Sequence, residues 1–218
     1  MGLRRTLMVA VVAAALGPGV SLAADEDAIS YPYPRFATSA EGVTDVEDAL
    51  ATGDRYRDLC FPAALGENGD VGRAQAYGAE ARGWYRRAEE LEPQNAYAQL
   101  SMGYVSMIIG RASQGKEQRR AFSEARASYQ RALERRPGYA DAHRYLGELD
   151  GLEQKWAEAE RHFRLLLDSK IADSHIHAWL GYVLHRQGKK ALAEEQWRRA
   201  RDHGQPAACA EYALDRLE

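Results

Sequence analysis

The chain has 218 residues, of which 45% are hydrophobic and 28% are charged, so it can bury a core and need not be disordered. Its formal net charge is −3, and loss of an N-terminal segment holding Arg4 and Arg5 would change that charge to −5. Nonspecific binding to nucleic acid or to anionic membranes needs a cationic surface, so this charge argues against both classes of partner.

Residues 1–23 are predicted to form a secretory signal peptide. Arg4 and Arg5 precede the apolar run Leu7–Leu16, and Gly, Pro and Gly follow at residues 17–19. The apolar run is about half of the ~20 residues that a membrane-spanning helix needs, which disfavours an uncleaved anchor. We therefore expect cleavage after Ala23, a periplasmic or secreted protein, and no integral membrane segment after cleavage.

Residues 24–42 are predicted to form an extended tail. The tail contains Tyr, Pro, Tyr and Pro at residues 31–34, and a residue before proline is pushed towards extended backbone. Two roles remain open at this stage: the tail could cover the first helices, or it could project as an arm.

An internal repeat fills the rest of the chain. A shift of 34 residues aligns Gly147 with Gly181 and Ala159 with Ala193, and a shift of 44 residues aligns Ala81 with Ala125. Three columns recur: glycine at 103, 147 and 181, alanine at 81, 125, 159 and 193, and an aromatic residue at 85, 129, 163 and 197. Small residues let two helices approach closely, and an aromatic residue four positions after the alanine lies on the same helical face.

These columns resemble those of the tetratricopeptide repeat family, whose 34-residue unit is a pair of antiparallel helices. The resemblance implies an all-α, right-handed solenoid of about four helix pairs. Its segments would be a degenerate repeat at 43–94, repeats at 95–138, 139–172 and 173–206, and a capping helix at 207–218.

The chain departs from the family pattern at three places. His143 and His177 stand where the family carries tryptophan in its first helix, and Ile171 replaces one of the prolines that end a repeat. Two repeats also carry about ten extra residues, around Gly110–Lys116 and Leu65–Asp70. We expect longer helices joined by a wider loop there.

The two cysteines, Cys60 and Cys209, are predicted to remain separate thiols. If helices stack ~8–10 Å apart, residues near opposite ends of the stack lie far beyond the ~7 Å limit between bridged Cα atoms. We expect Cys60 to occupy the small-residue column of the degenerate repeat and to pack there.

The family resemblance implies a binding groove lined by the first helix of each repeat. Aromatic and apolar side chains with arginine predominate at the corresponding positions, as in recognition surfaces. The predicted partner-binding residues are Tyr97, Leu100, Tyr104, Met107, Ile108, Arg144, Tyr145, Glu148, Leu152, His175, Trp179, Tyr182, His185 and Arg186. The alternative is that several of them pack against the next repeat or against the tail.

The sequence favours a binding protein over an enzyme. It contains no phosphate-binding glycine loop, no Gly-x-Ser-x-Gly motif and no His-Glu-x-x-His motif, and no cofactor is predicted. His175 and His177 are two residues apart, so on a helix they point in different directions and do not readily chelate one metal.

Three functions remain open from the sequence. The first is a periplasmic scaffold or adaptor that binds an unidentified protein or peptide, in the assembly of an envelope complex. The alternative is a factor that handles haem or metal, as in cytochrome maturation, because some tetratricopeptide domains serve that process. The third is a secreted effector or toxin-neutralising protein, which no residue pattern favours.

Overall fold

The computed structural model describes residue 40 and residues 42–66, 69–171 and 173–202. This part of the chain forms α-helices joined by turns and contains no strand, so the predicted all-α class is confirmed. The predicted signal peptide, the capping helix, Cys209 and all of the tail except residues 40 and 42 lie outside the described residues. None of the described helices combines the length and the apolarity that crossing a membrane requires.

Eight helices occupy the described residues. They are α1 (Val46–Leu65), α2 (Val71–Leu91), α3 (Ala96–Ala112), α4 (Gly115–Arg135), α5 (Ala140–Leu152), α6 (Trp156–Asp168), α7 (Ser174–Arg186) and α8 (Lys190–Asp202).

The described helices divide into two compact units. The N-terminal unit ends at Leu149 and holds α1 to α4 with most of α5, whereas the C-terminal unit holds the end of α5 with α6 to α8. In the N-terminal unit α1 packs on α2 and α3, and α3 packs on α2 and α4. In the C-terminal unit α7 packs on both α6 and α8.

Side-chain caps define where four of the helices begin. Asp45, Asp70, Asn95 and Asp173 each accept a hydrogen bond from a backbone N–H in the first turn of α1, α2, α3 and α7, respectively. Each such cap stabilises its helix by about 1 kcal/mol, because it satisfies a donor that the helix leaves free. Helix α4 follows Gln114, whose side chain makes no such bond.

Glycine packs against an aromatic ring in three helix pairs. A Cβ atom at Gly53 would lie 2.7 Å from Tyr85, one at Gly103 would lie 2.5 Å from Tyr129, and one at Gly181 would lie 2.4 Å from Trp197. The three rings are buried, with 0%, 0% and 4% of their surface exposed. Only glycine leaves enough room for the ring, so the close approach of helices expected at the glycine column occurs against the aromatic column, a pairing that the sequence did not predict.

The first helix pair corrects the position predicted for Cys60. Gly53, not Cys60, faces the aromatic residue of that pair, Tyr85. Cys60 lies two turns further along α1, is fully buried, and donates its S–H to the Ala74 carbonyl oxygen at 3.3 Å. Burial raises the pKa of this free thiol to about 11. Cys60 is therefore a packing residue, as expected, but it does not occupy the position that faces the aromatic ring.

The extra residues of the first two pairs lengthen the helices and do not widen the loop between α3 and α4. These four helices have 17 to 21 residues, against 13 in α5 to α8, and only residues 113 and 114 separate α3 from α4. In the added turns, glycines again pack against large side chains. A Cβ atom at Gly110 would lie 2.5 Å from Phe122, and one at Gly78 would lie 2.8 Å from Ile109.

A buried carboxylate ties together the C-terminal unit. Glu160 accepts hydrogen bonds from Gln187 and Lys189, both at 2.8 Å, and forms an ion pair with Arg164 at 2.6 Å. Burial alone would raise the pKa of Glu160, but the hydrogen bonds from Lys189 and Gln187 and the charge of Arg164 hold it below its ordinary value. The ionised form is therefore the one that stabilises this unit.

Candidate partner-binding surfaces

Tyrosine rings from three helices meet in the N-terminal unit. The rings of Tyr104 on α3 and Tyr145 on α5 lie 5.1 Å apart between centroids, and Tyr145 stacks on Tyr129 of α4 at 5.5 Å. Tyr129 is fully buried, whereas Tyr104 and Tyr145 are half-buried and can contact another molecule. Burial, with Tyr145 and Glu148 nearby, raises the pKa of Tyr104 to about 12, so its hydroxyl is neutral at physiological pH.

Arginine and carboxylate groups surround these rings. The guanidinium carbon of Arg144 lies 4.4 Å from the centre of the Tyr145 ring, a distance at which a cation is attracted to an aromatic face. Arg144 also pairs with Asp141 at 2.9 Å and with Glu148 at 3.8 Å. The sequence-predicted residues Tyr104, Arg144, Tyr145 and Glu148 therefore form one group, which we call the tyrosine cluster.

Arg111 joins the tyrosine cluster, although the sequence reasoning did not select it. Its Nε atom is buried, and within the described ranges Nε has no hydrogen-bond partner and Arg111 makes no ion pair. Burial lowers the pKa of Arg111, and the nearby Glu148 opposes that effect. The signal in the sequence is the spacing: Arg111 follows Tyr104 by seven residues, which is two helical turns and the same face of α3.

Tyr97, at the start of α3, is held by a polar network from α1. Its hydroxyl donates to Asp54 at 2.8 Å and accepts from Arg57 at 3.0 Å, and the Tyr85 hydroxyl donates to the same carboxylate at 2.7 Å. Asp54 and Arg57 were not predicted, because the degenerate first repeat has no column that marks them. These bonds fix the half-buried Tyr97 ring on the side of the unit that α1 and α3 share.

Several predicted groove residues are core residues. Met107 and Ile108 are 1% and 0% exposed, Leu100 is 5% exposed and Trp179 is 8% exposed. Each contributes packing, so the surface available to a partner is smaller than the predicted set. The sequence could not separate these residues from Tyr104, because α3 carries apolar residues on every face.

A second group of aromatic rings lies in the C-terminal unit. The Tyr182 ring lies 6.0 Å from Trp156 and 5.9 Å from Trp179, edge to face in both pairs, and His175 lies 6.4 Å from Trp179. The exposed Arg186 places its guanidinium 4.9 Å from the centre of the Trp156 ring. We call Trp156, Trp179, Tyr182 and Arg186 the tryptophan cluster.

Trp156 and His185 differ from what the sequence led us to expect. Trp156 was not predicted, because the column pattern assigns no role to the first residue of a second helix. His185 was predicted to line the groove. It is exposed, and its ring lies 5.5 Å from that of Trp197, so it contacts the neighbouring helix α8. Leu152 is half-buried at the end of α5.

Histidine side chains in the C-terminal unit have protein partners. His177 is 3% exposed and its Nδ1 lies 2.8 Å from the Gln196 side-chain oxygen, and His162 lies 3.7 Å from the buried Asp150. Within the described ranges, no three His, Cys, Asp or Glu side chains come together in a way that could hold a metal ion.

Comparison with known proteins identifies the fold. No protein-family model and no curated protein matches the chain. TTC0263, a thermophilic TPR protein of Thermus thermophilus, superposes with a TM-score of 0.56 at 15% identity, covering 78% of this chain and 97% of that one. MamA protein superposes with a TM-score of 0.37 at 17% identity, covering 70% and 91%. The likeness to the Thermus protein and the helix pairs described above show that this chain has the fold of the tetratricopeptide-repeat proteins.

Proposed function

We propose that the chain is a scaffold that binds a partner protein, without catalysis, through the tyrosine cluster of its N-terminal unit. The observation that carries this proposal is Arg111, a half-buried arginine near Tyr104 and Glu148 that makes no ion pair with a described residue and whose Nε has no hydrogen-bond partner among them. An unpaired buried donor costs free energy, and a partner that supplies an acceptor would remove that cost. Tyrosine and arginine together are the residue types that contribute most to protein interfaces.

The charges of the cluster indicate what the partner offers. Arg144 is already paired with Asp141 and Glu148, so Arg111 is the arginine left to receive a carboxylate or a carbonyl oxygen. The tyrosine rings offer flat apolar surface with neutral hydroxyl groups. The occupant we propose is an extended peptide segment or a helix of another protein, with an aromatic or proline side chain next to an acidic group.

The tryptophan cluster supports a second contact of the same kind. Arg186 is exposed on Trp156, and Tyr182 is half-buried beside it, so an aromatic surface and a cation are again adjacent. We propose that this cluster is a second partner-binding surface, within the C-terminal unit.

We further propose that the chain acts in the periplasm, in the assembly of an envelope complex. This step depends on the residues predicted to form the signal peptide and on the acidic mature chain. Mass spectrometry of the protein from fractionated cells tests the address: a periplasmic species that begins at Ala24 is expected, and a full-length cytoplasmic species would contradict it.

An affinity capture with three proteins tests the binding surface. Wild type, Arg111→Met and the control Arg119→Met are compared, because Arg119 is an exposed arginine of α4 and both changes remove one positive charge. We expect Arg111→Met to lose partners that wild type and the control retain, while its denaturation midpoint stays the same or rises because an unpaired buried group is gone. Equal recovery by all three proteins would refute the tyrosine cluster as the binding surface.

A further inference from the structure

A cavity in the N-terminal unit is lined by residues of the second helices α2 and α4 and of α3. Its volume is about 530 Å³, within the range of about 300–1,000 Å³ that is usual for small-molecule sites. The charged residues on its wall are Arg82 and Arg86 from α2 and Glu117, Arg120 and Glu124 from α4. None of the residues of the tyrosine cluster lines it.

Two of the three cavity arginines have no ionic partner in the part of the chain that the structure describes. Arg120 pairs with Glu124 at 2.9 Å, but Arg82 and Arg86 make no ion pair or side-chain hydrogen bond with any described residue. Burial lowers the pKa of Arg82, and the positive charges of Arg86 and Arg120 lower it further against the attraction of Glu124. The cavity wall therefore carries one more positive than negative charge, concentrated on the α2 side.

A serine hydroxyl on the cavity wall is unsatisfied. Ser113 is 5% exposed and lines the cavity, and no described residue offers its Oγ atom a hydrogen bond. A buried hydroxyl without a partner costs free energy, and a ligand that accepts its hydrogen bond would recover that cost. The hydroxyl proton of a serine rotates about the Cβ–Oγ bond, so this donor can adjust to an acceptor in the cavity.

The same end of the cavity lies beside the start of α4. Gln114 precedes this 21-residue helix and gives it no side-chain cap, so first-turn N–H groups remain available. The N-terminal end of a helix carries partial positive charge and attracts anions. Glu117 in the first turn offsets part of that charge, which leaves Arg82, Arg86 and Ser113 as the main determinants.

From these observations we propose that the cavity binds a small molecule bearing a phosphate group. Arg82 and Arg86, one turn apart on α2, would hold the phosphate oxygens, and Ser113 would donate a hydrogen bond to one of them. The cavity is larger than a phosphate ion needs, and Ile109 and Ala121 supply apolar wall for an organic group. A cation would be repelled by the arginines, and an uncharged apolar molecule would leave the same donors unpaired.

Thermal unfolding of the full chain with sodium phosphate or phenyl phosphate tests the proposal, with sodium chloride at equal ionic strength as the reference. A ligand that binds only the folded protein raises the midpoint in proportion to its affinity. We expect both phosphates to raise it beyond the chloride reference. A larger effect of phenyl phosphate indicates an organic phosphate ligand, and an equal effect indicates the free ion.

Three variants locate the site. Arg86→Gln should weaken the apparent affinity about tenfold or more, because a hydrogen bond to a charged group is lost. The matched control Arg119→Gln, which removes the same charge outside the cavity, should bind as wild type does. Ser113→Ala should be at least as stable as wild type without ligand and should show a smaller phosphate-dependent shift.

Three results would each overturn the proposal. The first is a wild-type protein whose unfolding midpoint is the same in phosphate and in chloride. The second is an equal loss in Arg86→Gln and Arg119→Gln, because that would mean general surface attraction. The third is a Ser113→Ala protein with an unchanged phosphate-dependent shift.

Discussion

Replacement of Gly103 by alanine tests the contact on which the helix pairs depend. The new Cβ would lie 2.5 Å and 2.7 Å from two carbons of the Tyr129 ring, closer than carbon atoms approach in folded proteins. The ring is fully buried and stacked on Tyr145, so it cannot move away freely. Overpacking of this kind costs ~1–3 kcal/mol, and we place it near the upper end because the obstacle is a ring held on two sides.

The matched control is Gly83→Ala. Gly83 also lies inside a long helix, α2, but a Cβ atom there would have nothing within 4 Å. Alanine is favoured over glycine in a helix interior by ~1 kcal/mol, and both variants gain this amount. We therefore expect Gly83→Ala to be more stable than wild type by about 1 kcal/mol and Gly103→Ala to be less stable by about 2 kcal/mol.

Urea denaturation followed by circular dichroism measures this difference. With a slope of about 2 kcal/mol per molar, a gap of about 3 kcal/mol separates the two midpoints by about 1.5 M. Gly103→Ala combined with Tyr129→Leu should be more stable than the sum of the single effects, because the smaller side chain makes room for the methyl group. If Gly103→Ala is as stable as Gly83→Ala, the close approach of helix to ring does not constrain the fold.

Three further outcomes follow from the structure. The pKa of Glu160 is lowered in the folded protein, so the stability that its ionised form provides is present above the ordinary pKa of 4.5 and is lost as the pH falls below it. In thermal unfolding measured against pH, Glu160→Gln should therefore lose less stability on acidification than wild type does. In a Cys209→Ser background, Cys60 should react with a thiol reagent only after denaturant is added, and fast reaction of the native protein would contradict its burial. Trp197→Ala should destabilise α7 and α8 by about 3–5 kcal/mol, visible as lost helical signal at lower temperature, whereas an unchanged melting curve would contradict the Gly181 contact.

The sequence predicts the repeated columns well because they are local in origin. An alanine and an aromatic residue four positions apart must share a helical face, and a glycine at the repeat interval marks where two helices approach closely. That the rings of Tyr129 and Trp197 lie on Gly103 and Gly181 is a contact between helices, and only the structure shows it. The same pattern gave the all-α class and the alternation of first and second helices.

The contacts of the first helix pair could not be predicted from spacing. Cys60 and Gly53 are both small residues on one face of α1, two turns apart, and the periodicity of a helix does not say which of them meets Tyr85. The register between two helices is set by packing along their whole length. Side-chain volumes on both helices decide it together, so only the tertiary structure could place Gly53 at the ring and Cys60 in the next layer.

The candidate surfaces divide in the same way. The sequence by itself determined which residues of a first helix share a face, because that follows from their spacing along the helix. It could not determine that Met107 is buried while Tyr104 is partly exposed, or that Arg111, Arg82 and Arg86 are left without ionic partners among the described residues. Burial and pairing depend on which other helices arrive beside a residue, and those neighbours come from distant parts of the chain.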